Sequence, residues 1–321
     1  MVELGYTLMC EQCPPTALVE HAAAAEEAGF DFLVASDHYF PWLATQGHSP
    51  NAWVVLGAVA QATRRIGLMS YVTCPTMRYH PAVVAQQAAT VQLMSEGRFT
   101  LGLGAGENLN EHVVGRGWPA VRIRHEMLDE ATQIIRRLLE SDGEVSFSGR
   151  HFTVESARLW DRPARLPIGI AVSGPDSCRL AGRLADVMIA VEPKADLVEL
   201  FDAAGGCGKP RVGQVPICWG PDREEAVRLA HEQFRWFGGG WKVNAELPGP
   251  DSFSSATEVF TPDDVASAIS CGPDTREHVA AVAEFAKAGF THVAVVQIGC
   301  ERQEDFITWA EREFLPELRE L

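Results

Sequence analysis

The sequence has few basic residues and no long apolar run. Its 27 Lys and Arg stand against 43 Asp and Glu, which gives a formal net charge of −16. Nucleic-acid-binding surfaces are clusters of basic residues, so this balance argues against a nucleic-acid partner. No stretch approaches the ~18 apolar residues of a membrane span, and residues 1–8 lack the basic and apolar segments of an export signal. We therefore expect a cytoplasmic protein that acts on a small molecule without a membrane partner.

Cysteines are few and scattered. Eight occur in 321 residues, at positions 10, 13, 74, 178, 207, 218, 271 and 300. This spacing differs from that of a small disulfide-stabilised protein, and we expect reduced thiols. Cys10 and Cys13 form a CxxC pair, but no second Cys or His pair stands nearby at the spacing of a four-ligand zinc site. We therefore expect no metal site.

The composition and the order of segments predict an α/β barrel. Hydrophobic residues make up 46% of the chain, enough for a full core, and the length suits one barrel with insertions. Short apolar runs alternate with helical patterns, which indicates parallel βαβ units. The eight predicted strands are Val2–Leu8, Asp31–Ser36, Arg65–Val72, Arg98–Gly102, Pro167–Val172, Asp186–Ala190, Val212–Cys218 and Thr291–Gln297. Eight such strands close a (β/α)₈ TIM barrel.

Helical patterns occupy the segments between the strands, as in Pro15–Ala28, Arg124–Glu140 and Arg276–Ala288. Gly29 and Gly289 follow two of them at the position where helices often end in a left-handed residue. Two stretches depart from the repeat. Residues 141–163 predict a β-hairpin, and residues 237–262, rich in Gly, Ser and Pro, predict a long loop. We expect a single domain over residues 1–321 with insertions at about 141–163 and 237–262.

Polar residues follow most of the predicted strands. They are Glu11, Ser36-Asp37-His38, Cys74-Pro75-Thr76, Gly104-Ala105-Gly106-Glu107, Ser173-Gly174 and Lys194. The active site of a TIM barrel lies where its strands run out into loops at their C-terminal ends. The sequence therefore predicts that these side chains meet at one mouth of the barrel.

Four segments carry a family resemblance. They are SDHYFPW at 36–42, CPTMRYHP at 74–81, GLGAGENLNEH at 102–112 and IAVSGP at 170–175. In this order they resemble the luciferase-like superfamily and, within it, the coenzyme F420-dependent glucose-6-phosphate dehydrogenase family. The resemblance spans nearly the whole chain and is strongest in the first 182 residues. It implies a deazaflavin, coenzyme F420, in the barrel mouth, and a homodimer.

The resemblance also implies roles for individual residues. His38 would act as general base, Trp42 would pack over the substrate, and Glu107 would donate a proton or stabilise charge at the cofactor ring. An imidazole of ordinary pKa, about 6.5, supplies the free base near neutrality. Without the flanking Trp42, Asp37-His38 is equally explained as a strand-end cap and a His bonded to backbone; Trp42 and Glu107 together favour the functional interpretation. Glu11 is equally explained as a residue at a helix start.

The cofactor-binding residues implied by the resemblance surround the same mouth. They are Asp37, Tyr71, Val72, Cys74, Ala105, Gly106, Asn110, Ser173 and Gly174. Tyr71-Val72 occupies the position of a non-prolyl cis peptide. Ser173-Gly174 precedes a helix, where free amide donors would bind the cofactor phosphate.

The match is weaker at the substrate. Glu11, Val191 and Lys194 are the predicted substrate-binding residues, and only Lys194 matches a basic phosphate ligand. Glu192 follows Val191, and residues 252–268 contain no Lys or Arg, so glucose 6-phosphate is a doubtful substrate. The aromatic residues Phe234, Trp236, Phe237 and Trp241 suggest a larger, less anionic substrate, or else helix packing or a dimer contact.

The resulting prediction is an F420-dependent oxidoreductase that transfers hydride between the deazaflavin and an alcohol or carbonyl carbon. Two alternatives stay open. One is an FMN-dependent luciferase-like monooxygenase, and the other is a non-catalytic barrel that binds cofactor.

Overall fold

The computed structural model describes residues 2–320. In this range the strands are β1 Glu3–Leu8, β2 Phe32–Ala35, β3 Gly67–Ser70, β4 Phe99–Leu103, β5 Val145–Ser148, β6 Thr153–Ala157, β7 Ile168–Ala171, β8 Val187–Ala190, β9 Arg211–Trp219, β10 Ser270–Gly272 and β11 His292–Gln297. Each predicted strand is present, with both ends within two residues of the prediction.

The α-helices of the described range alternate with these strands. They are α1 Pro15–Ala28, α2 Ala52–Ala62, α3 Pro81–Met94, α4 Asn108–Glu111, α5 Val121–Glu140, α6 Pro175–Leu184, α7 Ala195–Phe201, α8 Arg223–Phe234, α9 Trp241–Asn244, α10 Pro250–Thr257, α11 Pro262–Ala268, α12 Thr275–Lys287, α13 Gln303–Trp309 and α14 Leu315–Leu318. As predicted, α1 ends at Gly29, whose φ of 94° is left-handed, and Gly289 also has a φ of 94°.

The strands β1, β2, β3, β4, β7, β8, β9 and β11 close a parallel barrel. β8 pairs with β9, β9 with β11, and β11 with β1, so the first and last strands lie side by side. Along each strand, side chains alternate between the barrel interior and the helical layer. Phe32 and Val34 of β2 belong to the inner cluster, and Leu33 and Ala35 belong to the outer core. The TIM-barrel prediction is confirmed.

The first insertion is the predicted hairpin. β5 and β6 pair antiparallel between α5 and β7, with Phe147 opposite Val154. The second prediction, a long loop at 237–262, is wrong because α9 and α10 lie there. Gly249 and Pro250 stand at the N-terminus of α10 and define its start, and the segment packs its aromatic side chains on α8. Gly and Pro mark helix ends here.

A three-residue strand was absent from the prediction. β10 pairs parallel with the C-terminal end of β9, so Cys271 lies beside Cys218. Three residues are too few to show a period of two in the sequence. β10 extends the sheet outside the closed barrel.

The expectation of eight reduced thiols is wrong for one pair. Cys13 and Cys300 form a disulfide across a sequence separation of 287 residues, with Cα atoms 5.3 Å apart. The loops that carry them follow β1 and β11, which barrel closure makes neighbours. Cys13 therefore pairs with Cys300 and not with the Cys10 of its own CxxC motif. Within residues 2–320, no helix is both long enough and apolar enough to cross a membrane.

Candidate active site

Three of the predicted site residues, Glu11, His38 and Glu107, meet at the C-terminal mouth of the barrel. His38 follows β2, Glu11 follows β1, and Glu107 follows β4 and precedes α4. The His38 Nδ1 atom lies 3.1 Å from Glu11 Oε1, and its Nε2 atom lies 3.0 Å from Glu107 Oε1. All three side chains are nearly inaccessible to solvent. The imidazole is therefore held between two carboxylates.

This arrangement changes the expected protonation of His38. Burial lowers its pKa, but the charges of Glu11 and Glu107 outweigh burial and raise the pKa to about 9. This raised pKa favours the imidazolium form near neutrality, in contrast to the free base that the ordinary pKa of histidine led us to expect. The sequence reasoning used the ordinary pKa of histidine, which two facing carboxylates shift upward.

Both carboxylates are held by further hydrogen bonds. Ser36 Oγ donates to Glu11 Oε2 at 2.5 Å and accepts from the amide of Cys10 at 2.9 Å. Asn110 Nδ2 donates to Glu107 Oε1 at 2.7 Å. Asn110 Oδ1 accepts from the amides of residues 39 and 40, at 2.7 and 3.1 Å. Asn110, predicted at the cofactor, is thus a brace between α4 and the loop after β2.

Asp37 is bound by a residue that sequence reasoning missed. Arg78 Nη2 donates to Asp37 Oδ1 at 3.0 Å and to the Asp37 carbonyl at 2.9 Å. Arg78 also donates to Glu111, from its amide to Oε2 at 2.8 Å and from Nε to Oε1 at 3.4 Å. Thr73 Oγ1 donates a hydrogen bond to the other carboxylate oxygen, Asp37 Oδ2, at 2.7 Å. Arg78 and Glu111 lie inside the quoted family segments, and that position was the available signal.

The electrostatics of this second cluster are also unusual. Burial raises the pKa of Glu111 to about 7, and Arg78 offsets part of that rise. The two carboxylates raise the pKa of Arg78 above its already high value, so its charge is fixed. The charged Arg78 side chain holds Asp37 at the mouth. Asp37 directly precedes His38 in the chain.

Trp42 connects His38 to a group of aromatic residues. Its ring centroid lies 4.8 Å from that of His38 and 4.1 Å from that of Trp236, with the two indoles stacked at 8°. Phe253 packs edge-on against Trp42 at 5.1 Å. We call this group the aromatic cover; it consists of Trp42, Phe234, Trp236, Phe237, Trp241 and Phe253. The second insertion supplies three of the six, Phe237, Trp241 and Phe253, and packs them together with Trp42 at the mouth.

A half-buried apolar surface lies inside the mouth. Val72, Ala171 and Val191 pack on the inner barrel residues and keep part of their surface exposed. We call these three residues the apolar floor. The peptide bond between Tyr71 and Val72 is cis, at the position that the family resemblance implied.

Gly106 lies next to Cys74, whose Sγ is 2.9 Å from Thr76 Oγ1. A Cβ at Gly106 would lie 2.5 Å from the Cys74 Sγ, and the φ of Gly106 is +80°. Ala105, the residue before it, is half-buried against the core. Glycine at 106 thus permits close approach of the loops after β3 and β4.

The predicted free amides at the start of α6 are not free. The amides of Ser173 and Gly174 donate to Ser177 Oγ, at 3.0 and 3.2 Å. Ser177 is the third residue of α6, and its side chain reaches back to the helix start. A hydroxyl three residues downstream satisfies both donors, which the short motif SGP did not reveal.

Lys194 does not point a free charge at the mouth. Its Nζ lies 2.8 Å from Glu192 Oε1, and both side chains are well exposed to solvent. Val191 belongs to the apolar floor. The predicted substrate residues 191 and 194 therefore provide an apolar surface and a neutralised cation.

These residues fit a flat heteroaromatic cofactor. The apolar floor offers a face for a ring, and Asp37, His38 and Glu107 offer polar groups at its side. A closed parallel barrel with a buried imidazolium between carboxylates at its C-terminal mouth defines a TIM-barrel enzyme with an acid–base centre.

Comparison with known proteins gives the family. The model of the luciferase-like monooxygenase family matches residues 3–292. The chain therefore belongs to the luciferase-like family. It is 34% identical over 335 residues to an F420-dependent glucose-6-phosphate dehydrogenase of Microbacterium testaceum, covering 99% of this chain and 98% of that protein.

Two further relatives act on other substrates. An F420-dependent hydroxymycolic acid dehydrogenase of Mycobacterium tuberculosis is 36% identical over 331 residues, covering 98% of this chain and 88% of the relative. The solved structure of an F420-dependent secondary alcohol dehydrogenase in complex with an F420–acetone adduct has a TM-score of 0.91 at 29% identity, with 99% of each chain covered. The similar proteins named here are F420-dependent oxidoreductases with different substrates.

Proposed function

We propose that this protein is a coenzyme F420-dependent oxidoreductase that transfers a hydride between the deazaflavin and an alcohol or carbonyl carbon. The observation that carries the proposal is the imidazole of His38, held at 3.1 and 3.0 Å between Glu11 and Glu107 at the barrel mouth. Alcohol and carbonyl chemistry needs one proton exchanged at the substrate oxygen for each hydride moved at carbon. His38 is the group that exchanges this proton.

The roles of the residues follow from their contacts. When bound, coenzyme F420 accepts or supplies the hydride. Imidazolium His38 donates a proton to a carbonyl oxygen during reduction, and during oxidation it must first lose its proton. Glu107 and Glu11 set the affinity of His38 for that proton. Trp42, whose ring lies 4.8 Å from that of His38, confines the substrate beside it.

Cofactor binding is proposed at the opposite side of the mouth from the aromatic cover. The apolar floor would lie against the ring, with Asp37, Cys74, Ala105, Gly106 and Asn110 around it. Ser173 and Gly174 would face the phosphate once the Ser177 hydroxyl released their amides. We therefore expect removal of that hydroxyl to affect binding of the phosphorylated tail.

Glucose 6-phosphate is not the proposed substrate. Its phosphate needs charge-assisted donors in a buried site. The one matching cation, Lys194, is 2.8 Å from Glu192, and Arg78 is engaged by Asp37 and Glu111. The family resemblance supports the reaction type, and the pairing of these cations argues against the sugar phosphate.

Cofactor titration tests the proposal directly. The purified protein is titrated with oxidised F420 and, in parallel, with FMN, and fluorescence is followed. Binding of F420 but not FMN supports the proposal, and hydride transfer must then fall in His38→Ala while F420 binding persists. Tight FMN binding without F420 binding would instead favour a flavin monooxygenase. Binding of F420 without turnover of any alcohol or ketone would favour a non-catalytic barrel.

We also propose that the protein is a cytoplasmic homodimer. An apolar face supports the dimer: Val54, Val83, Leu93 and Met94 are exposed on α2 and α3, beside a groove of about 260 Å³. Light scattering should give twice the 35.0 kDa chain mass, and Leu93→Glu should yield monomers. Subcellular fractionation tests the cytoplasmic location; the six free cysteines of the described residues are consistent with a reducing compartment, and the Cys13–Cys300 disulfide is the observation against it.

A further inference from the structure

We infer that the substrate is an uncharged secondary alcohol or ketone with an apolar substituent, and that Trp236 selects it. The inference rests on the proposed function, because it concerns the molecule that exchanges hydride at that site. It is carried by three rings in consecutive contact, those of His38, Trp42 and Trp236. They lead from the acid–base group to the start of the second insertion. The consecutive ring centroids are 4.8 and 4.1 Å apart.

The charges around the mouth disfavour an anion. Glu11, Asp37 and Glu111 are buried there, and Glu107 is largely buried. Of the cations, His38 lies between the first two carboxylates and Arg78 binds the other two. Every cation of this centre is thus already neutralised. An anionic group of the substrate would find no free charged donor in this centre to replace its hydration.

The ring contacts of Trp42 are with His38, Trp236 and Phe253. Among the basic residues near this group, Arg235 donates to the carbonyl of Glu232 at 3.2 Å and to Ser254 Oγ at 3.1 Å, and Arg124 pairs with Glu246 at 3.0 Å. Lys242 of α9 is exposed to solvent. A substrate that reaches Trp42 therefore meets aromatic rings there.

Trp236 must move for a substrate to reach Trp42, since the two indoles are in stacking contact and Trp42 is buried. The segment allows this movement. Trp236 lies in the turn Arg235–Gly239, and three consecutive glycines, 238–240, follow it, the last with a φ of +72°. We infer that an apolar substituent of the substrate then packs against Trp42, with the displaced Trp236 ring in contact with its other side.

Two unpaired neutral groups support this view. The Trp236 Nε1 donor and the Asn244 Oδ1 acceptor are buried without hydrogen-bond partners. Asn244 is attached to the same segment, because its Nδ2 donates to the Trp236 carbonyl at 3.2 Å. Buried polar groups are normally paired, so the closed position leaves two neutral sites unsatisfied. Both can be satisfied by a hydroxyl or by water when the cover opens, and neither requires a charge.

The reaction balances for this substrate class. In the oxidation of a secondary alcohol, the carbinol C–H bond breaks and its electron pair passes as hydride to oxidised F420. The O–H proton passes to neutral His38, and the C=O bond forms. The reverse sequence reduces the ketone and uses the proton of imidazolium His38.

The test separates substrate choice from cofactor use. Wild type, Trp236→Ala and Trp236→Phe are compared with Trp160→Ala, a control that removes an indole 81% exposed on the other insertion. The first readout is the change in intrinsic tryptophan fluorescence when the cofactor-free protein is titrated with acetone, longer 2-alkanones and glucose 6-phosphate. The second is F420 affinity, and the third is kcat/KM with the matching 2-alkanols.

We expect kcat/KM to rise about fourfold for each buried CH₂ along the alkanol series, with no turnover of glucose 6-phosphate. In Trp236→Ala, KM for the longer alcohols should rise about tenfold, while the affinity for F420 stays unchanged. Trp236→Phe should retain most of the preference, and Trp160→Ala all of it. If Trp236→Ala fails to fold, the wild-type chain-length series and Trp236→Phe still test the inferred substrate class.

Preference for glucose 6-phosphate, or equal behaviour of all alkanols in wild type and Trp236→Ala, would overturn the inference while F420 binding upheld the proposed function. The absence of any fluorescence or rate response to the neutral series counts against the inference as well. Failure of F420 to bind would be a failure of the proposed function itself.

Discussion

The Nε2 atom of His38 lies 3.0 Å from a carboxylate oxygen of Glu107, and both side chains are largely buried. The pair does more than hold the ring in place. Together with Glu11 on the other ring nitrogen, Glu107 raises the pKa of His38 to about 9. An imidazole in this position is ready to give a proton at neutral pH and accepts one only in alkaline solution.

The direction of the reaction should therefore depend on pH. Ketone reduction needs protonated His38, so its kcat should be level near neutrality and fall as pH rises through about 9. In Glu107→Gln, one of the two carboxylate charges is lost, and the fall should move down by about one pH unit or more. Rates measured from pH 6 to 10 would show this. Glu224→Gln, at an exposed position of α8, is the control, and an unshifted profile in Glu107→Gln would contradict the assignment.

Protein stability should respond to the same proton. Folding raises the pKa of His38 from 6.5 to about 9, so the stabilisation is complete below pH 6.5 and is lost as pH rises through 9. A difference of this size corresponds to about 3 kcal/mol. Urea unfolding of wild type and His38→Gln between pH 6 and 9.5 measures it. The free energies of unfolding of the two proteins should converge toward pH 9.5, and a constant difference would show that the pKa is not raised.

Arg78 should be one of the most costly residues to replace. Arg78→Met leaves the buried carboxylates of Asp37 and Glu111 without a counter-charge, which costs about 3–5 kcal/mol in comparable pairs. Glu111→Gln should cost less, because the pKa of Glu111 is already raised to about 7 and its neutral form is accessible. Urea unfolding at pH 7 of both variants and of the double variant gives the coupling.

A surface pair provides the matched comparison for Arg78. Arg183 lies 3.0 Å from Asp129, but its side chain is 61% exposed. Exposed ion pairs contribute little to stability, so Arg183→Met should unfold almost as wild type does. An Arg78→Met variant as stable as Arg183→Met would show that the Asp37–Arg78–Glu111 cluster does not stabilise the mouth.

The sequence predicted the barrel because its strands are apolar runs separated by long amphipathic helices, and both signals are local. Through family segments at strand ends it also predicted His38, Trp42 and Glu107 as catalytic residues, and it predicted Glu11 separately as a substrate-binding residue. The state of His38 was not predictable, since a pKa depends on which charges the fold brings within about 4–6 Å. The Cys13–Cys300 bond was missed for a related reason, because only barrel closure brings the two ends of the chain together.

The aromatic cover shows a different limit. Residues 237–262 have the composition of a loop, and their glycines and prolines suppress any helical period over a useful window. Short helices such as α10 depend on tertiary packing, here of Phe253 against Trp42. The aromatic residues were therefore recognisable in the sequence, but their position beside His38 was not. Ser177 accepts hydrogen bonds from the amides of residues 173 and 174. This role was missed because the sequence alone does not distinguish a serine that caps a helix from a serine on its surface.

Gly106 offers a test of how tightly the mouth is packed. Its φ of +80° disfavours any side chain, and a Cβ would lie 2.5 Å from Cys74 Sγ and 3.1 Å from Glu111 Cγ. Gly115 has a similar φ of +73°, but a Cβ there would meet no atom within 4 Å. Alanine at Gly115 therefore carries only the backbone cost of about 1–2 kcal/mol. Alanine at Gly106 carries that cost and the displacement of Cys74 or Glu111.

The difference between Gly106→Ala and Gly115→Ala should be about 1–3 kcal/mol in the free energy of unfolding, the usual cost of overpacking. The same change should weaken F420 binding, because Glu111 holds Arg78 and Arg78 holds Asp37 beside the proposed ring site. Urea unfolding and F420 titration of the two variants measure both effects. Equal stabilities would mean that the loops after β3 and β4 separate without cost. Unequal stabilities with unchanged F420 affinity would place the cofactor ring away from Asp37.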